Sequence, residues 1–405
     1  MVSTPHNKIL HITFLTSLSV ALACNIGNAS EFDFEGEIEG EWRHFLNNPS
    51  SSASHDDFTS ASALLELGLY SDDGAHAFIA KPFARIDNHD ENRTHADLRE
   101  AKYRFVEGDF ELTVGLDKVF WGVTEFAHIV DIINQTDNVE STDGEQKLGQ
   151  PMLTGSYVSD YGTFSAFFMP TFRPRNFASA DGRPFVGIAV DNDTQTYEAS
   201  RAEDAGDIAL RYSHSWDVID LGLGYFDGTS RDPIISLANI QDGKIVPHYP
   251  LREQISLDAQ ATLGPWLLKL EALHQDENNE TTDRVVAGFE YSFYGIFSTS
   301  TDLGLVMEYL WDERGDDSPH PFADDLGVGL RWTANDIQST TLLAGAIIDL
   351  EYDSLAISLE AERRLNNSLK VSLEARIQDQ VAQQDSLLYA VKDEDFTRLR
   401  LTYYF

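Results

Sequence analysis

Asp395 to Phe405, the last eleven residues, read D-F-T-R-L-R-L-T-Y-Y-F. Thr397, Leu399, Leu401, Tyr403 and Phe405 share one face of a strand, and Arg398, Arg400, Thr402 and Tyr404 share the other. An apolar face, a polar face and a terminal aromatic are what a strand needs to cross a bilayer as part of a barrel. Soluble sandwiches also end on alternating strands, so the remainder of the chain must decide between the two.

The opposite end has the same parity in a stronger form. Phe32, Phe34, Ile38 and Trp42 alternate with Asp33, Glu35, Glu37, Glu39, Glu41 and Arg43, with Gly36 and Gly40 completing the apolar set. Six charges in a row on one face do not belong in a dry core, where each would cost several kcal/mol unpaired. They suit a water-filled lumen, so Glu35, Glu37 and Glu39 are expected to line one. If the chain closes on itself, Arg398 and Arg400 meet that acidic row across the seam, where opposite charges help.

Between the two ends the period of two returns in sixteen further segments, from 60–71 to 368–379. The sequence therefore predicts an all-β, transmembrane antiparallel barrel of about eighteen strands, with sixteen as the smaller count. The poorest segment, 339–349, is apolar on both faces. Connections alternate short and long: 71–74, 107–109, 159–162 and 263–265 are tight, whereas 46–59, 121–150, 173–205 and 228–250 are long and rich in Asp, Asn, Ser, Gly and Pro. Outer-membrane barrels show this asymmetry of short periplasmic turns and long outer loops.

Composition agrees. There are 29 basic and 67 acidic side chains, a net charge of −38, which argues against nucleic acid as a partner. Residues 1–29 read as a secretory signal, with Lys8 ahead of an apolar core and Gly27-Asn28-Ala29 as a small-residue cleavage site. Residues 30–405 are then the barrel. Cys24, the sole cysteine, rules out an intrachain disulfide; Ala21 to Cys24 reads alternatively as a degenerate lipidation signal. No internal run of eighteen apolar residues marks a membrane helix.

Function in so wide a barrel resides in what narrows the lumen and what charges it. Connection 121–150, the third outer loop, contains a helix-like piece from Thr124 to Val139 with Phe126, Ile129, Val130, Ile132 and Ile133. An exposed loop has no need of so many aliphatics, so this one is expected to fold inward. Its constriction residues would be Trp121, Asp131, Asn134, Asp137, Glu140, Asp143 and Glu145; the bland alternative is a loop lying over the mouth. Strand parity turns Lys81, Arg85, Glu100, Lys102 and Arg104 inward, so four basic side chains would face those acids across the lumen. Equally, they are ordinary lumen charges paired with local acids. Asp191-Asn192-Asp193 offers oxygen ligands to a hard cation but lacks the spacing and later Glu of a helix-loop-helix calcium site. No hydrolase, zinc-protease or nucleotide-binding pattern is present, and the histidines, His128 and His274 among them, are scattered. No catalytic residue, metal site or cofactor is expected.

The block Leu98-Arg99-Glu100-Ala101, Val114-Gly115, Lys118 to Gly122, Asp131 to Asp137 and Lys147 to Pro151 resembles a poorly characterised family of porin-like proteobacterial outer-membrane barrels. The resemblance covers about 55 residues. It takes in that family's L-R-E-A strand and tryptophan-glycine turn; Leu116-Asp117 stand where Arg-Gln is commoner, so no role of that arginine carries over. It implies a Gram-negative outer-membrane location and a porin fold. The sequence thus points to a channel for passive diffusion of small hydrophilic solutes and ions, in contact with lipid and with lipopolysaccharide through bridging divalent cations. Two other classes fit the same pattern: an outer-membrane enzyme with a rim active site, and a non-conducting barrel serving an export or uptake system. Solute, ion selectivity and oligomeric state are not encoded legibly.

Overall fold

Alternation along the chain becomes one closed sheet in the computed structural model, which describes residues 29–48, 55–141, 143–184 and 187–405. The expected signal segment as far as Asn28, Cys24 included, lies outside the described residues. In chain order the strands begin with β1 (Ala29–Phe45), β2 (Asp57–Ser71), β3 (His76–Asp87), β4 (His95–Glu107), β5 (Phe110–Asp117) and β6 (Gln150–Ser159). There follow β7 (Gly162–Met169), β8 (Asp207–Trp216), β9 (Ile219–Thr229), β10 (Leu251–Leu263), β11 (Trp266–Glu277) and β12 (Glu280–Phe293). The last six are β13 (Asp302–Asp312), β14 (Asp324–Thr333), β15 (Thr341–Asp349), β16 (Leu355–Asn366), β17 (Leu369–Asp379) and β18 (Phe396–Tyr404). Each pairs antiparallel with the next, and β18 pairs with β1, so the eighteen-stranded sheet has no edge.

The seam sets the register. Glu37 lies opposite Tyr404, Glu39 opposite Thr402 and Glu41 opposite Arg400. The amide of Gly36 donates to the Phe405 carbonyl, and the Phe405 amide donates back, each at 3.0 Å. A Cβ on Gly36 would sit 2.6 Å from the Phe405 ring and 2.9 Å from the Leu65 side chain. Gly36→Val therefore overpacks the closing strands and should cost about 1–3 kcal/mol. The expected result is a lower temperature for loss of the compact, heat-modifiable gel band in detergent; an unchanged temperature would show that the seam tolerates the bulk.

Outward faces are greasy and inward faces polar. Phe34, Ile38, Leu210, Ile255, Leu268 and Leu401 are all exposed, whereas Gln254, Glu271, Gln275 and Glu308 on the other parity are buried. Aromatic rings gather at the short-turn end, with Trp266 and Tyr291 centroids 4.6 Å apart and Phe164 and Tyr212 5.0 Å apart. Trp42, Tyr309 and Trp311 stand outward toward the other end. An apolar belt bounded by aromatics is the surface a bilayer requires.

Turn chemistry fixes which end is short. Gly108 (φ 59°) and Gly264 (φ 63°) supply left-handed backbone to two-residue connections. The long end has one tight turn too: Asn278 and Asn279, at φ 54° and 62°, join β11 to β12 directly. Asparagine tolerates that conformation, so this connection is only a two-residue hairpin. The connection 350–354 is also short.

At this long-loop end the connections fold on one another. Thr196–Tyr197 runs parallel to His248–Tyr249, joining loops 170–206 and 230–250. Arg183 is fully buried; its Nε donates to Glu394 at 2.7 Å and its Nη1 to the Asn47 carbonyl at 3.1 Å, so loop 170–206 reaches across the rim to the connections that follow β1 and precede β18.

Candidate functional site

Connection 118–149, between β5 and β6, turns into the barrel and is tied to inward-facing side chains on most of its circumference. Its apolar residues come first. Trp121, Val130, Ile132 and Ile133 are buried against Met152, Phe167, Met169, Ala209 and Phe226 on β6 to β9. The Trp121 ring meets Phe167 edge-on at 5.8 Å.

Backbone amides of the loop are held by wall carboxylates. Glu271 Oε1, from β11, accepts from the amides of Val123 (2.7 Å) and Thr124 (3.0 Å) and from the Thr124 hydroxyl (2.7 Å). Its Oε2 accepts from the Val130 amide at 3.3 Å. Glu308, from β13, accepts from the amides of Glu125 (2.8 Å) and Phe126 (2.9 Å). Both carboxylates are fully buried. This arrangement displaces the expected helix: among the described residues 121–150 contain turns, bends and isolated bridges, and no helix. Donors that would serve i→i−4 bonds point at the wall instead, and the β-branched Ile129, Val130, Ile132 and Ile133 favour no helix in compensation. The one α-helix among the described residues is α1 (Ser386–Ala390), in the last long connection, with Asp385 accepting from the Leu388 amide.

The tip, Phe126, lies on a floor of glycines. A Cβ on Gly327, Gly329 or Gly345 would meet its ring at 2.4, 3.3 or 3.0 Å. This explains why segment 339–349 reads as apolar on both faces: the inner face of β15 lies under an aromatic ring. Beside it, Glu125 pairs with Arg331 at 2.6 Å and with Lys269 at 3.5 Å.

The second half of the loop turns the other way. Asp137 pairs with Arg99; Glu140 pairs with Arg85 at 2.9 Å; Asp143 pairs with Arg376 of β17 at 3.1 Å. Asn134, fully buried, accepts from the Val119 amide and donates to the carbonyls of Asp117 and Leu148. Two ion pairs fasten the halves together: His128 Nε2 to Glu145 Oε1 at 3.0 Å, and Lys147 Nζ to Asp131 Oδ2 at 3.0 Å. Burial works against a charged His128, yet Glu145 and Glu271 outweigh it and push its pKa up to about 10. Burial raises the Asp131 carboxyl despite Lys147, and it lowers the Lys118 amine, beside Arg99, to about 8.

Of the four expected basic wall residues, three are engaged by neighbouring acids. Lys81 lies 3.0 Å from Glu66 and 3.3 Å from Glu100; Lys102 lies 2.6 Å from Glu100 and 2.5 Å from Asp117. Arg85 touches the loop through Glu140 and the first strand through Glu39 at 3.3 Å. Arg104 is half-buried with no carboxylate partner among the described residues. Across the seam, Arg398 bonds Glu374 and approaches Glu41 at 3.9 Å, while Arg400 stands 3.8 Å from Glu374. Glu35 is exposed, and Glu37 makes no ion pair among the described residues.

Parity missed Arg99 and Arg93. A bulge between Lys81/Glu100 and Pro82/Leu98 inserts Arg99 as an extra inward residue. Pro82 within a strand was the available signal, since proline cannot complete the ladder. Arg93, 1 % exposed, donates to the Val139 carbonyl and pairs with Glu41 at 2.8 Å and Asp87 at 3.0 Å. Asp191-Asn192-Asp193 is occupied internally: Asn192 bonds both backbone groups of Phe177, and Asp191 accepts from the Asp193 amide. Among the described residues no group of three or more side chains is placed to hold a metal. His274 pairs with Asp283 at 2.6 Å on the outward face, with no serine hydroxyl bonded to it among the described residues.

Below the loop, toward the short turns, the lumen opens into two cavities. One, of about 380 Å³, is lined by Thr163, Ser213, Asp220, Arg211 and Asp258, with the Arg211 guanidinium 4.9 Å from the Trp121 ring and paired with Asp258 at 2.6 Å. The other, of about 500 Å³, is bounded by β1 and β14 to β18, and carries Glu37, Glu39, Glu360, Glu362 and Glu374.

No protein-family model and no curated protein matches the chain. Solved structures do. Two engineered variants of the Rhodopseudomonas blastica porin, one carrying an alanine-to-tryptophan change and the other two acid-to-alanine changes, align over 93 % of this chain and 100 % of theirs. Identities are 12 % and 14 %, and the TM-score is 0.46 for both. The likeness is to a porin-type barrel and ends at architecture.

Proposed function

We propose that this chain is an outer-membrane channel through which small hydrophilic solutes and ions diffuse passively, with connection 118–149 as its constriction. In this reading the long loops face the cell exterior and the short turns the periplasm. The observation that carries it is the loop held inside the lumen by the buried carboxylates of Glu271 and Glu308, with charged cavities open beneath it. Hydrophobic packing alone would fill an interior; a polar wall with water-sized space beside a latched loop is what graded permeation needs.

Nothing in this reading makes the chain an enzyme or gives it a cofactor. Its family is the porin-like proteobacterial one that the block from Leu98 to Pro151 resembles, and its lipid surroundings are those of the outer membrane. Purified barrel added to a planar bilayer should produce discrete steps of open current. A rim enzyme or a non-conducting accessory barrel would leave the baseline flat, and a flat baseline with correctly folded protein would end the channel proposal.

A further inference from the structure

One sector of the wall is acidic from end to end. At the long-loop rim, burial raises the Asp385 carboxyl above its ordinary range, and the charges of Asp349 and Asp316 raise it further. At the level of the loop, Glu145, paired with His128 at 3.0 Å, is half exposed beside the Asp143–Arg376 pair. Beneath it lies the larger cavity, whose five carboxylates share its lining with Arg331, Lys370 and Arg400. Of those three cations, Lys370 is held by Glu362 at 3.3 Å and Arg331 by Glu125 at 2.6 Å. Arg376 also reaches Glu360 at 2.6 Å and Glu374 at 3.1 Å, Arg398 bonds Glu374, and Arg85 reaches Glu39 at 3.3 Å, while Glu360 and Glu362 stay about half exposed to the lumen. Glu37 points into the cavity with no ion pair or hydrogen bond of its own among the described residues.

The basic side of the barrel offers little counterweight, since among its four basic residues Arg104 alone has no carboxylate partner among the described residues. Lys81, Lys102 and Arg85 each sit between two carboxylates, so their fields are neutralised within a few ångströms. Near 0.1 M salt the Debye length is about 10 Å, so a permeating ion senses the walls of its own cavity and little of the outer loops. What it meets here is an excess of negative charge in a confined space, which raises the local concentration of counter-ions.

We infer that the lumen passes cations in preference to anions, and that Glu37, Glu360 and Glu362 in the cavity beneath the loop set that preference. This rests on the channel reading above. It differs from the arrangement expected from strand parity, in which Lys81, Arg85, Lys102 and Arg104 would face the acids of the loop across the lumen.

Reversal potentials under a potassium chloride gradient test it, with wild type, the triple variant E37Q/E360Q/E362Q and the opposite variant K370Q/R400Q in planar bilayers. Wild type should pass K⁺ several-fold better than Cl⁻, with the preference shrinking at high salt. The triple variant should bring the ratio close to one, and K370Q/R400Q should raise it above wild type. Opposite shifts from two sets of changes on the same cavity cannot both arise from misfolding. Open current with no cation preference, or a preference that neither variant moves, would overturn the inference and leave the channel standing. Absence of any open current would overturn both, and is recognisable because no reversal potential then exists.

Discussion

Replacing Glu271 and Glu308 together by alanine should raise single-channel conductance toward that of a barrel from which residues 124–139 have been excised. The two carboxylates receive six hydrogen bonds from the loop between Val123 and Val130, counting one per donor. Hydrogen bonds to a charged partner contribute about 1.5–3 kcal/mol each, and donors left without an acceptor in a buried place lose about 1–3 kcal/mol. Water entering from the lumen would recover part of this, so the net loss is on the order of 5 kcal/mol. Opposing it are the Trp121 and Ile133 packing and the ion pairs of Asp137, Glu140 and Asp143, which tether the other half of the loop. The tip around Phe126 should therefore lift while the second half stays. The double variant should fall between wild type and the excised barrel, with noisier open current. Single-channel recording checks this; equal conductance in all three proteins would show that the loop does not narrow the path.

Barrel architecture was legible because its code is local. Period two in Phe32–Arg43 and Asp395–Phe405 states which side faces lipid, and each strand repeats the statement independently. Even the weak stretch at 339–349 formed a strand, because its neighbours supplied the hydrogen bonds on both sides. The interior was less legible, since side chains from distant strands meet there and no local pattern records the meeting. The apolar content of 124–139 correctly marked a segment with something to bury, but helical spacing was misleading. Glu271 and Glu308, 147 and 183 residues along the chain from amides that donate to them, replaced the helix's own acceptors. Glu271 lies on the polar parity of β11, yet nothing local in the sequence distinguishes a latch from an ordinary lumen charge. The bulge at Pro82 likewise shifted one residue of parity and hid Arg99.

Raising the pH through about 10 should loosen the same loop from its other half, and His128 should be the cause. Its ring lies between Glu145 at 3.0 Å and Glu271 at 3.9 Å, and its proton is held far above the ordinary imidazole range. A folded-state pKa raised in this way gives stabilisation that is complete below about 6.5, the unperturbed value, and is lost as pH climbs through about 10. A pKa raised by one corresponds to roughly 1.4 kcal/mol, but a side chain one-fifth exposed to lumen water retains only a few kcal/mol of that coupling. The largest rise in conductance should thus come above about pH 9, beyond any smaller change near 8 from Lys118. Lys118, which loses its proton near 8, titrates in the same loop, so the comparison must be with His128→Gln. That variant keeps the lysine and removes only the imidazole. It should start at neutral pH with the larger conductance and show no further step at the alkaline end beyond what Lys118 contributes. Identical alkaline steps in wild type and His128→Gln would assign the response to Lys118 and leave the histidine as a neutral spacer.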